Sequence, residues 1–352
     1  MLKEEVIRLF IKNGYQLSKT ALPLVLSDPE QIILELGKLK PRPLFVTEKH
    51  IKGLSVERTT NKPKILKEYK IINKELKIED YVKNLHSLYE KIRDILSKRM
   101  DKEKLISINK ISEQKTFSII GIVREKRENN ILVEDPSGET SIFFDGLMKE
   151  TLEEICLDDV VGIRCKKIKD KTFARSIIYP DILSSRKITK TEDDIEVIVV
   201  SNPSSLSPQR YQKLLETIPG VKKLSTVFLF NETINEKLLE DFSGFNPVNI
   251  SQNSNPTLFQ INGVKILTLP RYFFKKLPDK ANSINFMVSI LKRRSLFTNY
   301  SFILDEIPDI VISNLEESGY KNYKGTSTIS NSDPDKVFLV NLKTREVKEM
   351  MI

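Results

Sequence analysis

Apolar residues recur at spacings of three and four along the first part of the chain, as they do on one face of a helix. This spacing predicts three short helices before residue 54. Ser18 is expected to cap the second helix, and Pro41 and Pro43 end the third. So small a helical unit buries little apolar surface, so residues 1–54 are interpreted as a docking module. The predicted helices centre on Val6 to Ile11, Leu22 to Leu26, and Pro29 to Leu36.

Residues 55–104 combine a basic linker with an amphipathic helix. The stretch from Glu57 to Lys70 is polar and contains Asn61-Lys62-Pro63, which is typical of a linker. Residues 78–100 then carry one apolar stripe, which predicts a helix that packs on a core. The stripe consists of Tyr81, Leu85, Leu88, Tyr89, Ile92 and Ile95.

The hydrophobic period changes to two between Ile106 and Tyr179, which predicts β-strands. Asp135-Pro136-Ser137-Gly138 is expected to turn between the second and third strands, and Met148 to Ile155 to form a helix after the third. Five strands in this order predict an oligonucleotide/oligosaccharide-binding (OB) fold over residues 105–185, with a generic small β-barrel as the alternative. The predicted strands are Thr116–Arg124, Asn130–Glu134, Thr140–Phe144, Val160–Lys167 and Lys171–Tyr179.

Residues 190–352 return to alternating strands and helices, which predicts a layered α/β domain. The run from Ile195 to Val200 is continuously apolar, as in a strand buried on both faces. The expected helices are Ser207–Thr217, Glu232–Asp241 and Asn282–Arg293. The other expected strands are Ser225–Phe230, Val248–Ile250, Leu258–Ile261, Val264–Leu269, Ile310–Ile312, Gly325–Ile329 and Val337–Asn341.

Composition narrows the class of protein. The 352 residues are 39% hydrophobic and 30% charged, which indicates a globular chain. Lys and Arg exceed Asp and Glu by 8 in residues 1–100, out of a net charge of +9, so the first third is a candidate to face phosphate or an acidic partner. Cys156 and Cys165 are too few for a disulfide framework, so small-residue packing in a reducing cytoplasm is expected. No membrane partner is expected.

Several segments resemble the small (B-type) subunit of archaeal D-family DNA polymerase, whose architecture is shared by the B subunits of eukaryotic replicative polymerases. The resemblance covers nearly the whole chain and is most specific in the middle. It implies a multidomain α+β protein with a helical unit, an OB-fold and a calcineurin-like phosphoesterase sandwich. The segments are Tyr89 to Arg99, Ile120-Gly121-Ile122-Val123, Leu132 to Gly138, Leu157 to Gly162, and Pro180-Asp181-Ile182.

The phosphoesterase motifs of that family are altered here. The resemblance implies a pair of divalent cations held by Asp, His and Asn at strand ends, in motifs such as Ser-Asp-x-His and Gly-Asn-His. In this chain, neutral residues or Glu occupy those positions. Neutral residues also occupy two later positions at which the family has His. A strand that carries a further Asp in the family is missing from this chain. The altered positions are Asn202, Ser204, Asn231, Glu232, Ser295 and Asn314.

The histidine count supports the same interpretation without alignment. The chain has only His50 and His86, and neither lies in residues 191–352. A binuclear site of this type uses several imidazoles. We therefore expect an inactivated phosphoesterase that is not an enzyme and carries no cofactor or metal.

The resemblance implies a noncatalytic accessory subunit of a DNA polymerase or replication complex, cytoplasmic and associated with the nucleoid. The expected partner is the polymerase catalytic subunit or another replication protein. The alternative is a stand-alone protein that binds single-stranded nucleic acid through the barrel. Phe117, Phe143, Phe144 and Phe173 are the aromatic candidates for stacking, and most of them are expected to fill the barrel instead. The cationic candidates are Arg124, Lys126, Arg127, Arg164, Lys166, Lys167, Lys169 and Lys171.

Overall fold

The computed structural model describes residues 3–25, 29–39, 42–48, 50, 63–69, 78–113, 115–218, 221, 224–230, 241, 248–251, 256–271, 284–296 and 299–352. The chain divides into two compact units, Met1–Lys62 and Pro63–Ile352. Both are mixtures of helix and strand. The predicted division into four segments is finer than these two units and stays a prediction. Within the described ranges, no helix is long and apolar enough to cross a lipid bilayer.

The first unit contains the three predicted helices, α1 (Lys3–Lys12), α2 (Leu22–Val25) and α3 (Pro29–Lys38). It also contains two short strands that pair in parallel, β1 (Gln16–Leu17) and β2 (Phe45–Val46). The purely helical expectation was wrong on this point, because two-residue strands are too short to show a period in the sequence. The Ala21 backbone N–H donates to Ser18 Oγ at 3.1 Å, as a cap would. The core consists of Val6, Phe10, Tyr15, Val25, Ile32, Leu36 and Val46.

Part of the predicted linker is a strand. β3 (Lys64–Glu68) forms an edge of a sheet in the second unit and pairs antiparallel with Thr257–Gln260. An edge strand exposes one side to solvent and tolerates lysines there, so its composition resembles that of a linker. The linker interpretation was therefore wrong for Lys64–Glu68, whereas residues 55–62 and 70–77 lie outside the described residues.

Helix α4 (Ile78–Ser97) covers one side of the barrel. From Leu85 onward, its apolar stripe lies in a cluster that includes Ile120, Ile122 and Val160 of the barrel. The Tyr89 hydroxyl donates to the Ile120 carbonyl oxygen at 3.2 Å. The predicted stripe is buried at Leu85, Leu88, Tyr89 and Ile92.

A closed five-stranded barrel follows helix α4. Its strand order around the barrel is first, second, third, fifth, fourth. The third and fifth strands close it in parallel, with Phe143 opposite Phe173. Helix α5 (Lys149–Glu154) connects the third and fourth strands. The strands are β4 (Thr116–Lys126), β5 (Asn130–Asp135), β6 (Gly138–Phe143), β7 (Val160–Ile168) and β8 (Lys171–Ile178).

Two glycines permit close packing in the barrel. A Cβ on Gly121 would lie 2.2 Å from Val133 Cγ1, and one on Gly162 would lie 2.5 Å from Met100 Sδ. Distances this short are clashes, so neither position accepts a side chain without displacing its neighbour. Gly162 thereby lets the segment after helix α4 pack directly on the barrel.

The rest of the described chain forms two facing sheets and a separate pair of strands. The strands are β9 (Glu196–Ser201), β10 (Leu224–Phe230), β11 (Val248–Ser251), β12 (Thr257–Ile261), β13 (Val264–Leu269), β14 (Ser295–Leu296), β15 (Asn299–Ile303), β16 (Ile310–Ser313), β17 (Gly319–Tyr323), β18 (Thr326–Ser330), β19 (Lys336–Asn341) and β20 (Val347–Met351). The first sheet has the order β11-β10-β9-β19-β20 and the second the order β17-β18-β16-β13-β12-β3, and β14 pairs with β15 alone. The helices are α6 (Pro208–Thr217) and α7 (Ile284–Arg293).

The core between the sheets combines Val199 and Phe228 of the first sheet with Phe259, Ile310 and Ile329 of the second. Helix α6 packs outside the first sheet through Leu214, and helix α7 packs outside the second through Met287 and Ile290. Strands β17 and β20 were not predicted, because both are edge strands rich in Lys, Glu and Asn. The predicted helix Glu232–Asp241 lies outside the described residues apart from Asp241.

A buried ion pair joins the barrel to this layered domain. Arg293, the last residue of α7, donates from Nε to Asp159 Oδ1 at 2.9 Å and to Oδ2 at 3.1 Å. The Cys156 backbone N–H donates to the same carboxylate at 2.9 Å. The Asp159 side chain is only 1% exposed. Burial raises the pKa of Asp159 to about 6, and the charge of Arg293 partly offsets that rise.

We predict that Arg293→Met destabilises the protein strongly and in a pH-dependent manner. Removing one partner of a buried pair leaves an uncompensated charge and costs about 3–5 kcal/mol. The folded-state pKa of Asp159 lies above its unfolded value of 3.8. The folded protein therefore binds the Asp159 proton more tightly than the unfolded chain does. Protonation stabilises the folded state fully below about pH 4, and this stabilisation is lost as the pH rises through about 6. The cost of Arg293→Met should then be smaller at pH 5 than at pH 7.5, as measured by urea unfolding.

Lys292→Met provides the matched control, because Lys292 pairs at 2.7 Å with Glu154, which is 59% exposed. An exposed pair contributes about 0–1 kcal/mol. Equal losses for the two variants, or a pH-independent loss for Arg293→Met, would show that the buried pair does not hold this junction.

Candidate functional site

Three parallel strands of the layered domain end in the same two residues. β9 ends in Ser201-Asn202, β16 in Ser313-Asn314 and β18 in Ser330-Asn331, each after an apolar residue. β16 and β18 are neighbours in the second sheet, and β9 lies in the first. In layered sheets, side chains that follow the carboxyl ends of parallel strands commonly form the ligand site. This edge is therefore the candidate site, and its side chains are neutral hydroxyls and amides.

The three serines are completely buried. Ser313 donates to the Leu269 carbonyl oxygen at 2.5 Å, and Ser330 to that of Leu315 at 3.3 Å. Both hydroxyls therefore satisfy backbone carbonyl oxygens near the strand ends. The Ser201 hydroxyl has no hydrogen-bond partner within the described ranges.

Asn202 adopts a left-handed backbone conformation, with φ 44° and ψ 47°. This conformation is uncommon outside glycine, and asparagine tolerates it better than most residues. The Asn202 backbone N–H donates to the Phe230 carbonyl oxygen at 2.7 Å, which ties the end of β9 to the end of β10. Its side-chain Oδ1 is buried without a hydrogen-bond partner in the described structure.

Asn331 connects the two sheets. Its backbone N–H donates to the Ser313 carbonyl oxygen of the second sheet at 2.9 Å. Its side-chain Nδ2 donates to the carbonyl oxygens of Val199 in β9 at 3.3 Å and of Lys336 in β19 at 2.9 Å, both in the first sheet. Asn331 is completely buried. Sequence reasoning missed this residue; the repeated Ser-Asn strand ending marks its position, whereas its contacts depend on the fold.

The other altered positions are not brought together into one donor set. Asn314 is half-buried and accepts the Arg271 backbone N–H at 2.6 Å. Ser204 is exposed, and Ser295 is half-buried in β14 opposite Ile303. Asn231 and Glu232 lie outside the described residues.

These side chains do not fit a pair of divalent cations. Within the described ranges, no group of three or more His, Cys, Asp or Glu residues is arranged to hold a metal ion. A binuclear phosphoesterase site uses charged carboxylates and imidazoles, whereas amide and hydroxyl oxygens carry no net charge. We therefore derive no metal-dependent step for this edge.

The barrel is the second candidate site, and its predicted cations fall into two groups. Arg124 pairs with Glu134 and, at 3.5 Å, with Asp158. Arg127 pairs with Glu125 at 2.6 Å. Lys126 Nζ donates at 2.8 Å to the carbonyl oxygens of Glu153 and Ile155, at the end of helix α5. A cation there stabilises the helix dipole.

The second group forms no ion pair within the described structure. Arg164, Lys166, Lys169 and Lys171 are exposed, and Lys167 is half-buried. All of them lie on β7, β8 or the turn between them. Their assignment to nucleic-acid binding, like that of the first group, stays a prediction.

Two aromatic side chains lie beside this second group on the outside of the barrel. The expectation that most of the four phenylalanines fill the barrel is correct for Phe117 and Phe144, which belong to its core. It was wrong for Phe143 and Phe173. Both are half-buried, and their ring centroids are 5.9 Å apart. The alternation along β6 and β8 turns Ile142 and Ala174 inward and the two rings outward.

The outer face of the barrel thus combines stacking surface with positive charge. Lys171 Nζ lies 5.0 Å from the centre of the Phe143 ring. Lys166 is directly opposite Phe173 in the ladder between β7 and β8. Cations and aromatic rings in alternation suit a single-stranded nucleic acid, because the rings stack on bases while the cations approach phosphates.

The cysteines are not suited to nucleophilic chemistry. Cys165 is buried in the barrel core, and burial raises its pKa to about 12. Cys156 is half-buried 3.7 Å from Arg293 Nη2, and burial raises its pKa as well. A thiol whose pKa is raised carries little thiolate at neutral pH. Their expected packing role is consistent with this geometry.

No protein-family model and no curated protein sequence matches the chain. Among solved structures, the S. pombe Stn1-ten1 complex aligns with a TM-score of 0.19 and 16% identity, covering 34% of this chain and 93% of that one. YjeQ from Thermotoga maritima aligns with a TM-score of 0.17 and 14% identity, covering 60% of this chain and 63% of that one. Scores this low do not establish a shared fold.

We predict that Asn331→Asp destabilises the protein by about 3 kcal/mol or more. The exchange removes both hydrogen bonds that Nδ2 donates and places a charge where nothing compensates it. Asn314→Asp is the control, because an aspartate oxygen can still accept the Arg271 N–H, and the expected loss is below about 1 kcal/mol. Urea unfolding of both variants measures the difference. Comparable losses would mean that Asn331 does not hold the sheets together.

Proposed function

We propose that this chain is a noncatalytic accessory subunit of a DNA polymerase or replication complex. The observation that carries the proposal is the neutral Ser-Asn ending of β9, β16 and β18 at the edge where a phosphoesterase places its metal ligands. The sheets around that edge retain a continuous apolar core. A domain that keeps its packing without charged ligands is suited to present a surface to a partner.

The arrangement of the domains supports the same proposal. The barrel has the OB-fold strand order, with helix α5 between its third and fourth strands. We assign the two facing sheets to a degenerate calcineurin-like phosphoesterase sandwich. The Arg293–Asp159 pair joins the barrel to the sandwich, and Ile303 of the sandwich packs in the cluster beneath helix α4. A preorganised pair of domains binds a partner with a smaller entropic cost than two free domains.

Affinity purification from native lysate after exhaustive nuclease treatment tests this proposal. We expect a polymerase catalytic subunit or another replication protein to be retained in near-stoichiometric amount. The double variant Lys166→Glu/Lys171→Glu should retain it equally, because protein contacts do not depend on the barrel cations. Loss of every replication protein on nuclease treatment would contradict the accessory function.

The outer face of the barrel favours a second candidate, a protein that binds single-stranded nucleic acid. OB-folds bind oligonucleotides across their second and third strands and the adjoining loops. Phe143 lies on the third strand, and Lys169 lies in the loop between the fourth and fifth. Phe173 and Lys171 follow this loop and Lys166 precedes it, and all three lie beside Phe143 on the outer face, which supports the second candidate.

We predict that Lys166→Glu/Lys171→Glu weakens binding of labelled single-stranded DNA and flattens its salt dependence. Each phosphate contact contributes about 0.7 to the slope of log affinity against log salt, so the slope should decrease by about 1–1.5. Fluorescence anisotropy over a salt series measures it. Lys213→Glu/Lys343→Glu changes the net charge equally on exposed residues of the layered domain and is the control. Equal effects of the two double variants would exclude a specific barrel site.

A further inference from the structure

Arg294 has an unusual place in the fold. It directly follows helix α7 in a left-handed backbone conformation, with φ 55°. Glycine is the usual residue at this position of a helix end, because a Cβ is disfavoured there. Two hydrogen bonds hold the backbone: the Arg294 N–H donates to Ile290 O at 2.7 Å, and the Leu304 N–H donates to Arg294 O at 2.8 Å. The backbone conformation at this position is therefore fixed by the fold.

The Arg294 side chain is largely buried, and its Nε has no partner among the described residues. The residue is 8% exposed. Its Nε is fully buried and has no hydrogen-bond partner, and the guanidinium forms no ion pair within the described structure. A guanidinium has five N–H donors and is always charged. Burying it without acceptors is costly, so such an arginine is normally paired.

The carboxylates near Arg294 are already engaged elsewhere. Asp181 accepts from Lys324 Nζ at 2.5 Å and from the Tyr323 hydroxyl at 2.8 Å. Asp305 pairs with Lys67 at 2.7 Å. Neither forms an ion pair with Arg294, so these two carboxylates do not neutralise it directly.

A second arginine adds to the positive charge. Arg99 Nη1 donates to the Tyr179 carbonyl oxygen at 3.3 Å, and the Tyr179 ring centre lies 5.3 Å from Cζ of Arg293, the residue before Arg294. The Arg99 side chain forms no ion pair in the described ranges. Burial, and then the charge of Arg99, lower the pKa of Arg294 to about 10. Arg186, the other cation acting on Arg294, is paired with Asp309 at 2.6 Å. Among the residues that the structure describes, the two guanidinium groups of Arg294 and Arg99 thus form no ion pair with a carboxylate.

We propose that Arg294 and Arg99 form a binding site for a phosphate group. A doubly charged oxyanion offsets both guanidinium charges and offers several acceptors to their planar N–H forks, whereas a carboxylate offsets only one. Because Arg294 is nine-tenths buried, the site admits a small terminal or free phosphate and not a continuous nucleic-acid backbone. The site lies at the end of α7 and does not involve the barrel face or the neutral strand ends.

Thermal unfolding of the full chain tests the proposal. Inorganic phosphate, titrated against chloride at constant ionic strength, should raise the Tm of the wild type by about 2 °C or more at saturation. Phosphate also stabilises proteins generally by exclusion from their surface. We therefore compare the phosphate-dependent change in Tm between the wild type and Arg294→Met. Methionine retains the apolar part of the side chain, and the part of the change that is specific to the site should disappear.

Two further variants separate the outcomes. Arg99→Met should reduce the phosphate-dependent shift, and Lys213→Met, which removes an exposed cation of helix α6, should leave it unchanged. If Arg294→Met lowers the Tm so far that its shift is unmeasurable, Arg99→Met alone decides. An equal shift in all four proteins, or no shift in the wild type, would overturn the proposal.

The source of the phosphate is identified by comparing oligonucleotides with a 5′-phosphate and a 5′-hydroxyl. Tighter binding of the phosphorylated strand, lost in Arg294→Met, would assign the site to a nucleic-acid terminus. Equal binding of both strands, together with the specific shift by inorganic phosphate, would assign it to a free oxyanion.

Discussion

The Arg293–Asp159 ion pair is the contact on which the arrangement of the second unit depends. It lies between the last residue of helix α7 and the turn that leads into β7, with a nearly fully buried carboxylate. Tyr179 packs beside it, with Lys292 Nζ 4.4 Å and Arg293 Cζ 5.3 Å from the centre of its ring. Buried pairs of this kind contribute less to stability than their Coulomb energy suggests, but they penalise alternative arrangements that leave one charge unpaired. The pair therefore specifies how the barrel and the sheets are joined.

The sequence pattern predicted the helices and the inner strands of the sheets well, whereas it missed strands at the edges of the sheets. Strand β5 alternates between buried and half-buried residues along its whole length, and the other barrel strands alternate over part of theirs, so a period of two is visible in the chain. Strands β3, β17 and β20 lie at sheet edges, where lysine and glutamate hide the same period. The two-residue pair β1 and β2 is too short to show any period. These segments form strands because they pair with neighbouring strands, and a single sequence does not show which segments pair.

The candidate sites depend in the same way on distant contacts. The neutral strand ends could be predicted from Asn202 and Asn314, but the role of Asn331 required knowing that β18 ends beside β9. The eight barrel cations looked equivalent in the sequence, whereas the fold gives Arg124, Lys126 and Arg127 intramolecular partners. Arg294 carried no signal in the sequence beyond its charge. Arg294 stands out in the structure because it is buried and because Asp181 and Asp305 pair with lysines instead.

The central proposal is that the layered domain is a phosphoesterase sandwich that has kept its shape but lost its charged ligands. Titration of the full chain with Mn²⁺, followed by electron paramagnetic resonance, tests it most directly. The account predicts that micromolar Mn²⁺ keeps the six-line signal of the free aquo ion in the presence of the protein. Binding of two ions per chain with a spin-coupled signal would contradict it, because such a pair requires the charged donors that the strand ends of β9, β16 and β18 do not provide.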